Sequence, residues 1–236
     1  MKDGSINETI TIGDVFLHRT GYDNIDLIDP ELIPPCEAYK ELIKKEPSFK
    51  PGTAFRYSTH SYWFINALVH KVLGYASMDD FLEEWLFESC QMNDTSFCAS
   101  PERALDPHYL EPEEMNKFMA AQIPGSGLWS CPDDLMNFAA AVITPEKLFS
   151  LKTFEEMTEA YPMVKYEETL YSCRTLGWNK EIQFNNQPQR CFYHGGATGG
   201  VLWCDPEYDF IALFMASKWG AGNGDAFNVI KTFYGE

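Results

Sequence analysis

The sequence predicts an α+β protein in which a run of helices precedes an antiparallel sheet. Apolar residues recur at helical spacing through residues 146–160, and strand-like segments separated by short turns begin at Tyr171. Turns this short join antiparallel strands, because parallel strands need a crossover of about a dozen residues or more. Segregation of helices from strands is typical of the α+β class, whereas a doubly wound α/β fold alternates them.

The first part of the chain is predicted to hold two short helical pieces and a loop. Thr9–Leu17 has the pattern of an extended entry followed by a helical turn, with Asp14 near its start. Residues 22–36 are rich in Asp and Pro and are predicted to form a loop. Ala38–Lys45 has the spacing of a short, charged helix.

Pro51–Gly74 is the most informative stretch of this first part. Pro51-Gly52 is a turn pair, and Gly74 is a natural helix stop. Between them we expect a helix whose buried face carries apolar residues at helical spacing: Tyr62, Ile65, Leu68, Val69, Val72 and Leu73. Tyr57 stands just before this helix, at a junction where side chains can be aimed into a cleft. The alternative is that Tyr57 only packs at the helix entrance with its hydroxyl satisfied.

Three further helices are predicted between residues 77 and 160. Ser77-x-x-Asp80 resembles a capping box, and so does Ser130-x-x-Asp133 with Pro132 in the first turn. Residues 92–126 are predicted to be irregular, with an amphipathic piece at Met115–Ala121. The expected buried residues of the three helices are Met78, Phe81, Leu82, Trp85 and Leu86, then Leu135, Phe138, Ala139 and Val142, then Leu148, Leu151, Phe154 and Met157.

Two hairpins and a closing helix are predicted in the last part of the chain. Thr175–Phe184 and Arg190–His194 flank a polar turn, and Val201–Cys204 and Phe210–Ala216 flank a second one. Ala226–Tyr234 has Phe227, Ile230 and Phe233 at helical spacing and is expected to pack on the sheet. Neither an internal repeat nor a linker divides the chain, so we expect one domain over residues 1–236.

The composition is that of a soluble globular protein and excludes several functions. The net charge of -17 and the pI near 4.6 argue against nucleic acid, because little here neutralises phosphates. The seven cysteines are odd in number and lack close pairs, which is typical of free thiols in a reducing compartment and predicts no zinc site. No segment is long and apolar enough to span a bilayer, so we expect a cytoplasmic protein without cofactor or metal, unless a targeting segment lies upstream.

A glycine-rich stretch is the second candidate site. Tyr193 and His194 open the run Gly-Gly-Ala-Thr-Gly-Gly between two strand-like segments. Small residues let a backbone or a ligand approach closely, and a histidine exchanges protons near neutral pH. The alternative is a glycine-rich turn with an incidental histidine. Gly125-Ser126-Gly127 fails the Gly-x-Ser-x-Gly pattern of a nucleophile elbow, because proline precedes it and leucine follows it.

Together these stretches resemble the serine β-lactamase-like hydrolases, which include class C β-lactamases, D-alanyl-D-alanine carboxypeptidases and related esterases. Tyr57-Ser58-Thr59, Gly127-Leu128-Trp129-Ser130 and the run 194–200 follow one another in the family's order. Thr11–Gly21 and Gly74–Phe97 resemble two further family segments. The resemblance covers nearly the whole chain and implies a β-lactamase/transpeptidase-like fold.

The resemblance also implies an acyl-transfer site for a small amide, ester or peptide ligand. In the family, a serine of a Ser-x-x-Lys motif attacks the carbonyl and forms an acyl-enzyme that water hydrolyses. The residue matching Tyr57 takes and returns the proton, and the one matching His194 lines the pocket. The N–H group matching Ala197 forms half of the oxyanion hole. Thr59, Gly196 and Thr198 are the other residues expected to contact substrate.

Two departures from the family pattern affect the expected activity. Thr59 stands where the family usually has asparagine, and none of the serines is followed by lysine three positions later. The family's Ser-x-x-Lys helix lies upstream of the segment that Thr11 begins, so we expect a domain incomplete at its amino end and inactive as given. The alternatives are a non-catalytic relative that binds a peptide or acyl ligand, and a structural or interaction protein. Apolar faces left uncovered predict self-association.

Overall fold

The computed structural model describes residues 10–26, 32–98, 113, 117, 120–166, 171–218, 220 and 222–236. Within them the helices are α1 (Ile12–Phe16), α2 (Tyr39–Ile43), α3 (Trp63–Lys71), α4 (Met78–Leu82), α5 (Glu88–Cys90), α6 (Pro132–Ile143), α7 (Leu151–Thr158) and α8 (Gly224–Phe233). The strands are β1 (Tyr161–Val164), β2 (Tyr171–Arg174), β3 (Phe192–Gly195), β4 (Val201–Asp205) and β5 (Phe210–Phe214). This order confirms the α+β prediction.

Two predictions fall partly or largely outside this part of the chain. Residues 27–31 of the predicted loop 22–36 and most of the predicted amphipathic piece Met115–Ala121 are not among the described residues. Of the helices that are described, none has the length and apolar character needed to cross a membrane.

The strands pair antiparallel, as predicted. β1 pairs with β2, and β3, β4 and β5 follow one another as neighbours. Asn179 joins the two groups, because it bridges Arg174 at the end of β2 and Tyr193 in β3. The turn between β4 and β5 is the predicted second hairpin, with strand ends within two residues of those expected.

The predicted strand Thr175–Phe184 is wrong. The Thr175 N–H donates to the carbonyl of Trp178 at 2.9 Å, and the Trp178 N–H donates to Thr175 Oγ1 at 3.2 Å. Gly177 closes this turn with φ at 94°. Four residues folded into a tight turn cannot be extended, so only Asn179 of this segment pairs with β3.

The predicted buried faces of two helices also need correction. Val72 and Leu73 are 71% and 50% exposed, because α3 ends at Lys71 and the chain turns away at Gly74 with φ at 83°. Trp85 is 63% exposed, because residues Glu83–Phe87 form a π turn that adds a residue and brings Phe87 into the core instead. The buried residues of α3 are Trp63, Asn66, Ala67 and Val69.

Helix starts agree with the sequence to within a few residues. Ser77 Oγ accepts from the Asp80 N–H at 3.0 Å, which confirms that cap. The residue before α6 is Cys131, not Ser130, and the Ser130 hydroxyl instead bonds Thr95 Oγ1 at 2.7 Å. α7 begins only at Leu151, which is 54% exposed instead of buried as predicted.

The sheet is covered on both faces, and the β3–β4 register shows why. Tyr193 lies opposite Trp203, and both pack with Ala226 and Ile230 of α8. Phe192 points to the other face because side chains alternate along a strand, and it packs with Ala139 and Val142 of α6. The closing helix therefore packs on the sheet as predicted, and the candidate site lies where β3 ends.

Candidate active site

Backbone hydrogen bonds to two other segments hold the residues just before Tyr57. The N–H of Phe55 donates to the carbonyl of Val164 at 3.0 Å, and the N–H of Tyr166 donates to Phe55 O at 2.9 Å. The Arg56 N–H donates to the carbonyl of His18 at 3.1 Å. The chain before Tyr57 is thus clamped between the end of β1 and the turn after α1, while Tyr57 itself stays 42% exposed.

The ring of His18 packs against the ring of Tyr57. Its ring centroid lies 4.2 Å from that of Tyr57, and its Nδ1 lies 3.2 Å from both N and O of Ser58. His18 adopts φ of 52°, an uncommon conformation that turns its ring inward. Burial, followed by the charge of Arg174, lowers the pKa of His18 from 6.5 to about 3, so the imidazole is neutral at physiological pH.

A polar network fixes the residues that follow Tyr57. Asn24 Oδ1 accepts from Ser58 Oγ at 3.2 Å, from Thr59 Oγ1 at 3.3 Å and from the His60 N–H at 3.1 Å. Ser61 Oγ donates to Ser58 Oγ at 3.1 Å. Ser58 and Ser61 are 1% and 0% exposed, so both serines are structural and neither faces a ligand.

Arg174 is the cation of the site. Its Cζ lies 5.3 Å from the centre of the Tyr57 ring and 5.6 Å from that of Phe55. The residue is 5% exposed, and its Nε and Nη2 have no hydrogen-bond partner in the described chain. Burial raises the pKa of Tyr57 above 10.0, and the charge of Arg174 opposes that shift.

His194 is partly buried in β3, opposite Leu202 of β4. Burial, then the charge of Arg174, lowers the pKa of His194 from 6.5 to about 4, so this imidazole is also neutral at physiological pH. Gly195 follows it, and a Cβ there would come 2.0 Å from Nδ2 of Asn223. A side chain at residue 195 would therefore displace the Asn223 amide.

The glycine-rich run forms the turn between β3 and β4. The Gly196 N–H donates to Gly200 O at 2.7 Å, and the Gly199 N–H donates to Gly196 O at 3.0 Å. The carbonyl of Ala197 accepts from the Gly220 N–H at 2.8 Å, whereas the Ala197 N–H has no backbone acceptor in the described part of the chain. Gly196 and Ala197 are exposed and Thr198 is partly buried. The Ala197 amide is thus available to a ligand.

The glycine loop 125–127 contacts Thr59 rather than forming a separate site. A Cβ on Gly125 would lie 2.8 Å from Thr59 O, so only glycine fits there. The N–H groups of Ser126 and Gly127 donate to Ile123 O at 3.0 and 2.7 Å. This loop therefore supports the backbone of Thr59, and it is not a nucleophile elbow, as the sequence pattern predicted.

The contacts divide the predicted site residues into three groups. The charge of Arg174 acts to lower the pKa of both Tyr57 and His194. Thr59 contacts Asn24 and the glycine loop, and Gly196, Ala197 and Thr198 belong to the β3–β4 turn. Sequence reasoning missed Asn24 and Arg174, because an isolated asparagine in a loop and an isolated arginine in a strand carry no local signal.

Other features of the surface lie away from this site. One depression of about 360 Å³ is lined by residues that include Ile25, Leu32 and Lys45, and one of about 540 Å³ by residues that include Leu151, Lys180 and Pro206. Neither is lined by Tyr57 or His194. The potential ligand atoms of Asp94, Cys131 and Asp134 lie within 4.8 Å of one another. The Asp134 carboxylate accepts from the Asp94 N–H and from Thr95 Oγ1 at 2.8 and 2.7 Å, so it caps this turn.

Known structures share this architecture. A family VIII carboxylesterase matches 95% of this chain and 70% of its own length, with 15% identity and a TM-score of 0.77. EstA from Arthrobacter nitroguajacolicus Rue61a matches 96% and 73%, with 16% identity and a TM-score of 0.73. The octameric penicillin-binding protein homologue from Pyrococcus abyssi matches 100% and 58%, with 18% identity and a TM-score of 0.72. No match is found among curated protein sequences.

These likenesses show a β-lactamase/transpeptidase-like fold with helices and antiparallel strands. The Beta-lactamase family profile matches residues 2–231. Because this match spans nearly the whole sequence, the chain belongs to the Beta-lactamase family, which confirms the resemblance drawn from the motifs.

Proposed function

We propose that this chain carries the acid–base side of an acyl-transfer site that acts on an amide or an ester. The observation that carries the proposal is the environment of Tyr57. Its ring is fixed against the buried His18 and beside the Arg174 guanidinium, while 42% of the side chain remains exposed. A phenol that is held in place but open to a ligand can exchange a proton with it. Membership of the Beta-lactamase family supports the same chemistry.

The other predicted residues have distinct roles in this proposal. Tyr57 takes the proton of the attacking hydroxyl and returns it to the leaving group. His194, which is neutral at physiological pH, hydrogen-bonds the ligand. The Ala197 N–H stabilises the carbonyl oxygen as negative charge develops on it. Thr59, Gly196 and Thr198 contact the rest of the substrate.

The Ser-x-x-Lys motif, which carries the attacking hydroxyl in the family, does not occur in these 236 residues. No serine is followed by lysine three positions later, and the two serines beside Tyr57 are buried and hydrogen-bonded. We therefore propose that the chain as given does not turn over substrate. The same fact favours the second candidate, a non-catalytic module that holds a peptide or acyl ligand in the cleft.

Intact mass after incubation with a β-lactam and, separately, with a fluorophosphonate tests the missing nucleophile. We expect no stoichiometric adduct on the chain as given. A single adduct would contradict this part of the proposal, and peptide mapping would locate the reactive serine. In that case Tyr57→Phe and His194→Ala should each slow acylation about a hundredfold or more. Unchanged acylation in both variants would contradict the acid–base roles.

If no adduct forms, ligand-observed NMR with benzylpenicillin and with an acyl-D-alanyl-D-alanine peptide separates the remaining candidates. Saturable binding that weakens in His194→Ala supports a ligand site at this end of β3. Arg190→Ala is the control, because Arg190 is exposed and precedes the first residue of β3. Absence of binding to either compound favours a structural or interaction protein.

Self-association and location are further parts of the proposal. Val72, Leu73 and Trp85 are large apolar side chains that are at least half exposed, which favours contact between copies. A single monomeric species at high concentration in sedimentation velocity would contradict this. All seven cysteines are free, which is compatible with a reducing, cytoplasmic location.

A further inference from the structure

Arg174 is a buried cation, and among the residues that the structure describes no counter-ion contacts one whole edge of its guanidinium. Its Nε and Nη2 are both without a hydrogen-bond partner in the described chain, and the residue is 5% exposed. These two nitrogens share the edge of the guanidinium that binds carboxylates. Arg19 shows the ordinary arrangement, because its Nε and Nη2 donate to Asp14 Oδ1 at 3.1 and 2.8 Å. Within the described residues, no carboxylate takes this place beside Arg174.

A buried charge without a close partner acts strongly on its neighbours, because the surrounding protein screens it less than water does. Tyr57 is the neighbour best placed to respond. Its ring centre lies 5.3 Å from Cζ of Arg174, and its side chain is 42% exposed. A partly exposed phenolate keeps some hydration, so Tyr57 loses its proton at a lower cost than a fully enclosed tyrosine does.

The titratable groups around this pair come from several elements: His18 after α1, Tyr62 before α3, Glu181 before β3, and Tyr193 and His194 in β3. His18 and His194 are neutral at physiological pH, because their pKa values are lowered to about 3 and about 4. Burial raises the pKa of Tyr62 and of Tyr193.

Glu181 is the acidic group of this set. Its carboxylate accepts from Tyr193 Oη at 3.4 Å, and its charge raises the pKa of Arg174 and of Tyr193. Among these groups, Arg174 is the one that is positively charged at neutral pH.

We propose that Arg174 is a positioning residue that stabilises the phenolate form of Tyr57 and so equips Tyr57 to act as a general base. This inference rests on the proposed function of Tyr57. When a hydroxyl nucleophile attacks the carbonyl, its O–H bond breaks and the proton passes to the Tyr57 oxygen. When the leaving group departs, the proton passes to it and the phenolate forms again beside Arg174. No proton or electron is gained or lost over the cycle.

The test is a titration of Tyr57 itself, followed by NMR of protein labelled with ¹³C at the tyrosine ζ-carbon. Tyr57→Phe assigns the resonance. In Arg174→Gln and Arg174→Met we expect the Tyr57 midpoint to rise by about one pH unit or more, the shift that a nearby opposite charge produces. Arg174→Lys keeps the charge, so the Tyr57 midpoint in this variant should stay close to the wild-type value. Arg190→Gln removes one charge from an exposed position and should leave the midpoint unchanged.

An unchanged midpoint in a folded Arg174→Gln or Arg174→Met variant, with native circular dichroism, overturns the inference. If neither variant folds, the wild-type titration decides. Tyr57 must then lose its proton at lower pH than Tyr62 and Tyr193, and titration together with them or after them overturns the inference.

The titration needs no substrate, so its outcome is independent of turnover. If the Tyr57 midpoint does not depend on Arg174, the acyl-transfer proposal still stands. Conversely, acylation that is unaffected by Tyr57→Phe removes the proposed function but not the electrostatic coupling between Arg174 and Tyr57.

Discussion

Asn223 occupies the space in which residue 195 would carry a side chain, since a Cβ on Gly195 would lie 2.0 Å from Asn223 Nδ2. Asn223 is also the residue that precedes α8, so this contact joins the start of α8 to the end of β3. Gly195→Ala is expected to displace the Asn223 amide and to lower the free energy of unfolding by about 1 kcal/mol, the lower end of the usual cost of overpacking. Equilibrium unfolding in urea measures the change.

Gly196→Ala is the matched control for this prediction. The nearest atom to a Cβ at residue 196 is Thr198 Oγ1 at 3.8 Å, an ordinary contact distance. Adding Asn223→Gly to Gly195→Ala removes the clash and should recover part of the stability. Equal losses in Gly195→Ala and Gly196→Ala would contradict the proposed steric cause.

The two neutral histidines predict that stability falls as the pH is lowered. The pKa of His18 is about 3 and that of His194 about 4 in the folded chain, against 6.5 for a free histidine. The unfolded chain therefore binds more protons below pH 6.5, and the free energy of unfolding decreases from there towards pH 4. One such group contributes a slope of at most about 1.4 kcal/mol per pH unit.

His18→Asn tests the share of one histidine in this slope. Asparagine tolerates the φ of 52° at this position and can still reach the backbone of Ser58. We expect a shallower fall in stability between pH 6.5 and pH 4. The measurement is urea unfolding at several pH values in that window. Parallel curves for the variant and the wild type would show that His18 is not protonated on unfolding in this range.

Asn24 is predicted to fix the backbone that follows Tyr57. Its side-chain oxygen accepts three hydrogen bonds, from Ser58, Thr59 and His60. Asn24→Ala removes this acceptor and should lower the free energy of unfolding by about 1 kcal/mol, within the range for loss of a cap. Asn24→Asp keeps the acceptor oxygen and serves as the control. A loss of equal size in both variants would point to the amide group rather than to the accepted bonds.

Tyr234 is predicted to hold the sheet and the chain end together through its hydroxyl. Tyr234 Oη donates to Asp205 Oδ2 at 2.6 Å and accepts from Trp203 Nε1 at 3.0 Å. Asp205 and Trp203 are both 0% exposed. Tyr234→Phe leaves both groups without this partner, so we expect a loss of about 1–3 kcal/mol in the free energy of unfolding. Tyr208→Phe, at a tyrosine that is 59% exposed, should change it little.

The elements that sequence reasoning predicted well are those whose signals are local. Capping residues and helical spacing are read within one or two turns, which is why α4 and α8 were predicted near their observed positions. The β4–β5 hairpin was equally accessible, because its turn is short and its strands are apolar. Family motifs supplied Tyr57 and His194 as candidate site residues, since each stands within a short, recognisable stretch.

The features that sequence reasoning missed depend on distant contacts. The residue types in Glu83–Phe87 do not indicate the π turn that exposes Trp85. The turn at Thr175–Trp178 lies in a segment whose composition also suits a strand. Asn24 bonds Ser58 from 34 positions away, and Arg174 lies still further along the chain from Tyr57, so no sequence window contains both partners.

The edge of Arg174 that has no partner among the described residues has opposite effects on two properties of the protein. It lowers the stability of the fold, and in the proposed mechanism it favours the phenolate of Tyr57. An uncompensated charge in a protein interior lowers the stability of the folded state, and a well-packed apolar side chain of similar size often raises it. Arg174→Met is therefore expected to give a more heat-resistant chain in which, if Arg174 acts as proposed, a smaller fraction of Tyr57 is present as the phenolate. Selection for melting temperature alone would tend to remove the group on which the proposed chemistry depends.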